Sequence, residues 1–385
     1  MAEAAAHPRY DYIDCVRGYA VLLVMVSHWT YMFPQLPYPL HRITATGWFG
    51  VQLFFIASCL TLLMSWNHET ATRGRASIGA FFTRRFFRIV PAFYVAALIY
   101  FVFEPPGGGF DLTQALATLG FFNAWHPYLT PTVPGRWTVV PGSWSISVEV
   151  TFYLLFPLIA FYVRSLRRAV ILLVLSILVG VIANWVALAT FLRDYSATAN
   201  SNFLFFWLPN QISVFACGAC LYHAMRWLEQ HQVELPRPSL WALAAIALFV
   251  APSVLPIRAG QYLGGTPLVP LFLAICLPLA LFVLALSRTK GMPFINRPVK
   301  LMGQVSFSAY LLHFLVLDAF HHLPQPYLGG GTEAGVVVAF VLWWPVFVAA
   351  TFAVAWLQYR FIELPGIQLG RNLIRRRRTK AAVSA

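Results

Sequence analysis

Residues 17–33 read RGYAVLLVMVSHWTYMF, an apolar run that opens on an arginine and holds a histidine past its middle. At about 1.5 Å per residue such a run nearly spans a hydrocarbon core of about 30 Å. The preceding MAEAAAHPRYDYIDCV lacks the basic head, short apolar stretch and small-residue cleavage site of a secretory signal, so the run is expected to stay in the protein as its first helix. Nine more apolar runs follow, near 47–66, 87–103, 144–163, 169–192, 203–225, 239–256, 267–287, 302–320 and 335–358. The pattern predicts an all-α, polytopic transmembrane helix bundle of about ten spans. The stretch 113–125 is apolar too, but short and bounded by polar residues, which suits an interfacial or re-entrant piece better than another span.

Composition supports the same solvent. The chain is 59% hydrophobic and only 10% charged, where a soluble domain carries about 25% charged residues to cover its surface. The net charge of +14 would suit nucleic acid, but the charges sit in short loops between apolar runs, so no nucleic acid partner is expected. With the N-terminus in the cytosol, 23 of the 27 Lys and Arg residues fall on the inward side. Only Arg42, Arg136, Arg193 and Arg258 fall outside. That asymmetry predicts cytosolic N- and C-termini.

The whole chain, 1–385, reads as one transmembrane domain with its core at about 12–366 and a basic cytosolic tail at 367–385 that ends in RRRRTK. No soluble domain is expected before or after it. The five cysteines lie in or beside apolar runs, which argues against a disulfide framework. Cys217 and Cys220 form a CxxC, but on an apolar helix this spacing is a packing pair on one face; no metal is expected.

Ionisable groups at membrane depth cost a few kcal/mol or more, so each is a functional candidate. Arg17 and His28 are 11 residues apart, which at 100° per residue is three turns plus about 20°. They face the same way about 16 Å apart, with Arg17 at the cytosolic mouth. His313 lies at a similar depth to His28, and Glu149 enters from outside to about 8 Å below the outer boundary. Two histidines and a carboxylate are thus expected to converge on one layer.

A neutral imidazole can take the proton of a hydroxyl that attacks a thioester, and a carboxylate can orient it. Arg17 and the basic run around Arg84, Arg85 and Arg88 can hold phosphates at the cytosolic end, with a pantetheine arm bridging the two. Taken singly, each residue has a plainer explanation. An intramembrane histidine often bonds helix to helix, and Arg17 can be a snorkelling anchor paired with Asp14. The long outward connection 104–143 is rich in Gly, Pro and aromatics (Phe121, Phe122, Trp125, Tyr128, Trp137). These rings can stack on sugars or simply anchor the interface.

Six blocks carry a resemblance. IDCVRGYAVLLVMVSHW, with its Arg-x10-His at Arg17 and His28, is similar to the first helix of the acyltransferase family 3 membrane proteins, and GWFGVQLFFIASCLTL resembles the next block. RRFFRIVPAFY resembles the family's Arg-x-x-Arg motif at Arg85 and Arg88, and GSWSISVEVTFYLLFPL its Trp-Ser-x-Ser-x-Glu block ending on Glu149. QVSFSAYLLHF resembles the Ser-x-x-x-Tyr-Leu-x-His stretch with His313, and FIELPG the closing Glu-x-Pro at Glu363 and Pro365. Departures are Cys59 where glycine is frequent, Val150 where a second carboxylate is, and Gln52 where aspartate is common.

The resemblance implies ten helices and O-acyl transfer, commonly of acetyl from acetyl-CoA or another acyl-CoA to sugars displayed outside the cell. A bacterial inner membrane location goes with it. Catalytic roles then fall to His28, Glu149 and His313, and donor binding to Arg17, Arg85 and Arg88. The rival from another class is a proton-coupled transporter of an anionic or glycosylated metabolite, with Arg17 as counter-ion and His28 and Glu149 as relay. It lacks the paired broken helices and internal symmetry of that class.

Overall fold

A computed structural model describes residues 10–106, 109–130, 138–254, 271–289, 291, 293–322 and 332–383. Trp137, the basic residues Arg9, Arg136, Arg258 and Lys290, and the ends of two expected spans (255–256 and 267–270) lie outside the described residues.

Among the described residues the regular structure is all helix, without a strand. In chain order the helices are α1 Asp11–Tyr31, α2 Tyr38–Ala45, α3 Gly50–Arg73, α4 Ile78–Phe103, α5 Leu112–Leu119, α6 Ser143–Tyr162, α7 Leu166–Ala189, α8 Ala197–Phe206, α9 Leu208–Gln230, α10 Pro238–Val254, α11 Leu271–Arg288, α12 Arg297–Gln304, α13 Ser306–His321, α14 Glu333–Gln358 and α15 Leu364–Val383. Local chemistry sets many of their ends. Ser77, Asp111, Ser165, Ser196, Asn296 and Thr332 each accept a hydrogen bond from the backbone N–H three residues on, capping donors that the first turn leaves free. α3 stops at Gly74, whose φ of 73° is open chiefly to glycine.

A helix lies in each of the ten expected stretches. Among the described residues six helical stretches are long and apolar enough to cross a membrane by themselves, so the chain is a multi-pass membrane protein. α12 and α13 add a seventh if taken together as one span, bent by 85° at Val305. α10 and the described part of α11 are shorter, while α1 has the length but carries Asp14, Arg17 and His28.

That polarity explains where α1 sits. It is the hub of the bundle, packed by α3, α12 and α13, with Cys15, Val16, Ala20 and Val21 inaccessible. α7, by contrast, turns Leu175, Leu178, Val179 and Ile182 outward, as a lipid-facing helix must. The close approach of α1 to α12 needs glycine, because a Cβ on Gly18 would collide with the Val299 carbonyl and one on Gly303 with that of Asp14.

The expected interfacial piece is α5 and the turns after it, folded against α6. Asn123 donates to Ser143 Oγ (2.7 Å), Ser147 to the Phe121 carbonyl (2.6 Å) and Trp125 Nε1 to Thr151 Oγ1 (2.9 Å). At the opposite, basic end, α15 packs on α4. Pro91 removes the N–H that would have bonded the Phe87 carbonyl, and Gly366 and Gly370 bring α15 against that same residue. Glu69, 6% exposed, accepts from Arg84 (2.9 Å) and Arg378 (2.6 Å) with Arg73 at 3.5 Å, tying α3, α4 and α15 together.

Candidate active site

The polar residues of α1 fall into two layers. In the first, Arg17 lines a narrow cavity of about 60 Å³ with Arg88 of α4, Glu149 of α6 and Ser58 of α3. Glu149 Oε1 accepts from Ser58 Oγ and from the Tyr153 hydroxyl, each at 2.6 Å. Tyr153 is one helical turn beyond Glu149 and also presents its ring to the Arg85 guanidinium at 5.7 Å. Arg85 stands behind this tyrosine and not on the cavity wall, and its Nε is buried without a hydrogen-bond partner. One carboxylate thus faces two arginines across the cavity, with a third behind Tyr153.

In the second layer the His28 and His313 rings lie 5.3 Å apart, both against Phe314 at 4.4 and 4.2 Å. His313 is completely buried. Its Nδ1 lies 2.8 Å from the Tyr310 carbonyl and 3.2 Å from that of Ala309. Carbonyls only accept, so Nδ1 carries the proton and Nε2 is left as a lone pair. That Nε2 is buried without a partner. An unsatisfied acceptor beside a second imidazole is costly in a purely structural site, and it is the condition in which a base waits for a proton.

Tyr310 joins the layers. Its ring is 5.8 Å from His313, while its hydroxyl reaches the cavity and bonds Ser145 Oγ (2.7 Å) and the Gly142 carbonyl (3.0 Å). Gly142 caps α6 with a φ of 74°, and a Cβ there would lie 3.0 Å from that hydroxyl.

Of the residues expected from sequence, the structure brings His28 to His313, and Glu149 to Arg17 and Arg88. The hydrogen bonds described for Glu149 run to Ser58 and Tyr153, so the carboxylate keeps company with the arginines while the imidazoles pair with each other. Sequence reasoning passed over Tyr153, Tyr310 and Ser58. The first two stand at i+4 from Glu149 and i−3 from His313, spacings that place them on the same helix faces. Ser58 belongs to another helix and carries no such signal.

A further cavity of about 220 Å³ lies one turn nearer the basic end, lined by Tyr10, Ile13, Asp14, Thr61 and Ser65 among others. Asp14 and Thr61 are each one turn from Arg17 and Ser58, so the two cavities follow one another along the α1–α3 groove. Among the described residues no cluster of three His, Cys, Asp or Glu side chains is placed to hold a metal ion.

The departures also have structural settings. Gln52 is buried and donates to Gln211 Oε1 at 3.2 Å. Cys59 is accommodated across the α3–α9 contact by Gly218, where a Cβ would come within 2.9 Å of that of Cys59.

No solved structure matches the chain. It is 27% identical to acyltransferase MdmB of Streptomyces mycarofaciens, over 82% of this chain and 80% of that one. It is 26% identical to nodulation protein 10 of Rhizobium leguminosarum bv. viciae, over 94% and 95%. Against peptidoglycan O-acetyltransferase OatA of Listeria monocytogenes identity is 24%, over 92% of this chain but 55% of the longer relative. A family model described as "Acyltransferase domain" matches residues 10–360, which decides for an enzyme over a transporter. With two histidines, a partly buried carboxylate and two arginines gathered around one polar helix, the chain belongs to acyltransferase family 3.

Proposed function

We propose that this acyltransferase moves an acyl group, acetyl in the first instance, from cytosolic acyl-CoA to a hydroxyl of a sugar on an exported or cell-surface glycan. In this reading all ten helical stretches are passes through a bacterial inner membrane. Both termini are cytosolic, and the whole chain works as one domain. The observation that carries it is the stacking of two polar layers along α1, an arginine-lined cavity joined through Tyr310 to an imidazole pair.

Arg17 and Arg88 suit the donor's phosphates, with Arg85 adding charge behind Tyr153. The cavity at Tyr10 and Ile13 is the way in for the donor, and the pantetheine arm follows the α1–α3 groove. His28 takes the proton of the acceptor hydroxyl as its oxygen attacks the thioester carbonyl. The new C–O bond replaces the C–S bond, and the imidazolium returns the proton to the leaving sulfur. His313, through its free Nε2, holds the second nitrogen of His28 or a bridging water. Glu149 balances the arginines and fixes Tyr153 and Ser58. Exposed Phe122, Trp125 and Tyr128 offer ring faces to a sugar. The name of the Listeria relative supports a glycan acceptor.

The test compares wild type with His28→Ala in nanodiscs, following acetyl-CoA binding by calorimetry and thioester loss by thiol release with oligosaccharide acceptors. Binding by both forms with turnover by wild type alone is expected. Failure of the folded wild type to bind acetyl-CoA, or turnover by the variant, would overturn the donor or the base assignment respectively.

A further inference from the structure

At the basic end, away from both layers, lies a groove of about 890 Å³, within the range of about 300–1,000 Å³ typical of ligand sites. Five helix ends make it: the C-terminal ends of α3, α6 and α9 and the N-terminal ends of α4 and α7. Its polar rim carries Arg75, Arg164 and Arg226, and among the described residues no acidic side chain lines it. Its other wall is apolar and faces outward, with Leu158 60% and Phe161 56% exposed. In a membrane chain such side chains meet acyl tails. Trp66 and Trp227 line the groove as well, the residue type that settles at the headgroup level.

We infer that this groove binds an anionic phospholipid of the leaflet at the basic end, phosphate against the three arginines and acyl chains along Leu158 and Phe161. Positive-inside placement explains arginines at this end, but it does not require three of them around one concave site with a hydrocarbon wall. Among the described residues no ion pair takes up these three arginines. Glu229, one turn from Arg226, lines a neighbouring cavity that Arg226 also borders, but its ion pair runs to Arg288 at 4.0 Å. Glu69 is taken up by Arg73, Arg84 and Arg378. The lone pairs of a phosphodiester match guanidinium donors, and a zwitterionic lipid offers the same phosphate with a compensating cation. The groove wall continues into Ala76 and Ile78, the entry to the helix that carries Arg85 and Arg88. An occupied groove therefore anchors the start of α4.

The experiment uses the full chain in detergent, titrated with phosphatidylglycerol or phosphatidylcholine and read by native mass spectrometry. Wild type is expected to retain phosphatidylglycerol in preference. The variant Arg75→Ala/Arg164→Ala/Arg226→Ala is expected to lose about 100-fold of that preference, at about tenfold or less per arginine near the surface. The Arg→Lys version of the same triple keeps charge and folding and is expected to retain most of it. Equal retention of the two lipids by wild type, or an unchanged preference in the alanine variant, overturns the inference. Displacement of the lipid by coenzyme A also overturns it, by giving the groove to a soluble nucleotide phosphate. None of these outcomes depends on turnover, so failure here is separable from failure of the proposed acyl transfer.

Discussion

Replacing His313 by asparagine separates the two nitrogens of a ring whose roles the structure distinguishes. The asparagine amide nitrogen falls near the place of Nδ1, which lies 2.8 Å from the Tyr310 carbonyl. The variant therefore keeps a hydrogen bond worth about 1 kcal/mol and loses the Nε2 lone pair. If Nε2 supports the proton transfer, the loss is that of general base assistance, about 10²- to 10⁴-fold, or about 2.7–5.4 kcal/mol on the barrier. His313→Ala removes both nitrogens and leaves a hole in a fully buried site, so stability falls too, by about 2–4 kcal/mol. The assay is thiol release from acetyl-CoA in nanodiscs, beside thermal unfolding in the same preparation. The expected pattern is an asparagine variant with near wild-type unfolding and turnover down at least 100-fold. An asparagine variant that unfolds normally and turns over within about threefold of wild type would refute the reasoning, and His313 would then be a helix–helix residue.

Arg88→Ala is expected to raise KM for the acyl donor by about 10- to 100-fold while changing kcat little, as loss of a charge-assisted bond of about 1.5–3 kcal/mol requires; equal losses in both would move Arg88 into the chemistry. Tyr153→Phe and Ser58→Ala each remove one of two 2.6 Å bonds to the same Glu149 oxygen. Each should cost about 1–3 kcal/mol of stability, and the double variant should depart from additivity because they share a partner. Additive losses in unfolding experiments would contradict that. Glu69→Gln weakens the tie to Arg378 of α15, and trypsin cleavage near Arg375–Arg378 should accelerate about tenfold on loss of about 1.4 kcal/mol. Unchanged cleavage would mean that the contact of α15 with α4 suffices.

How much could be read beforehand depended on whether a feature had a period. Apolar runs of near-spanning length gave the helices, and an 11-residue spacing put Arg17 and His28 on one face of α1. Counting along the axis placed His313 level with His28, but it placed Glu149 there too, and the structure sets that carboxylate beside Arg17 instead. Azimuth between different helices was not legible. His313 and Glu149 were expected in one layer because both lie in the outer half of their helices. Which of them meets His28 depends on how α6 and α13 are shifted along and rotated about their own axes, set by packing contacts such as Gly142 beneath Tyr310. α1 falls outside the six apolar stretches because Asp14, Arg17 and His28, the residues that make it a candidate for function, lower its hydropathy.

The separation of the layers gives the proposed acyl transfer its logic. A thiolate leaving group and an acceptor hydroxyl need a base that is neutral and stays desolvated, while the donor's phosphates need permanent positive charge. A guanidinium beside the reacting imidazole would disfavour the imidazolium that proton abstraction creates. About 16 Å along α1 keeps Arg17 away from His28, and Glu149 further offsets the arginine charge on the cavity wall. Tyr310 couples the two regions without carrying a charge, its hydroxyl on the cavity and its ring beside the imidazole. In the imidazole layer the buried lone pair of His313 Nε2 meets one other imidazole and an apolar phenyl ring. In the proposed reaction the proton therefore passes between imidazole and sulfur while the phosphates stay held a pantetheine's length away.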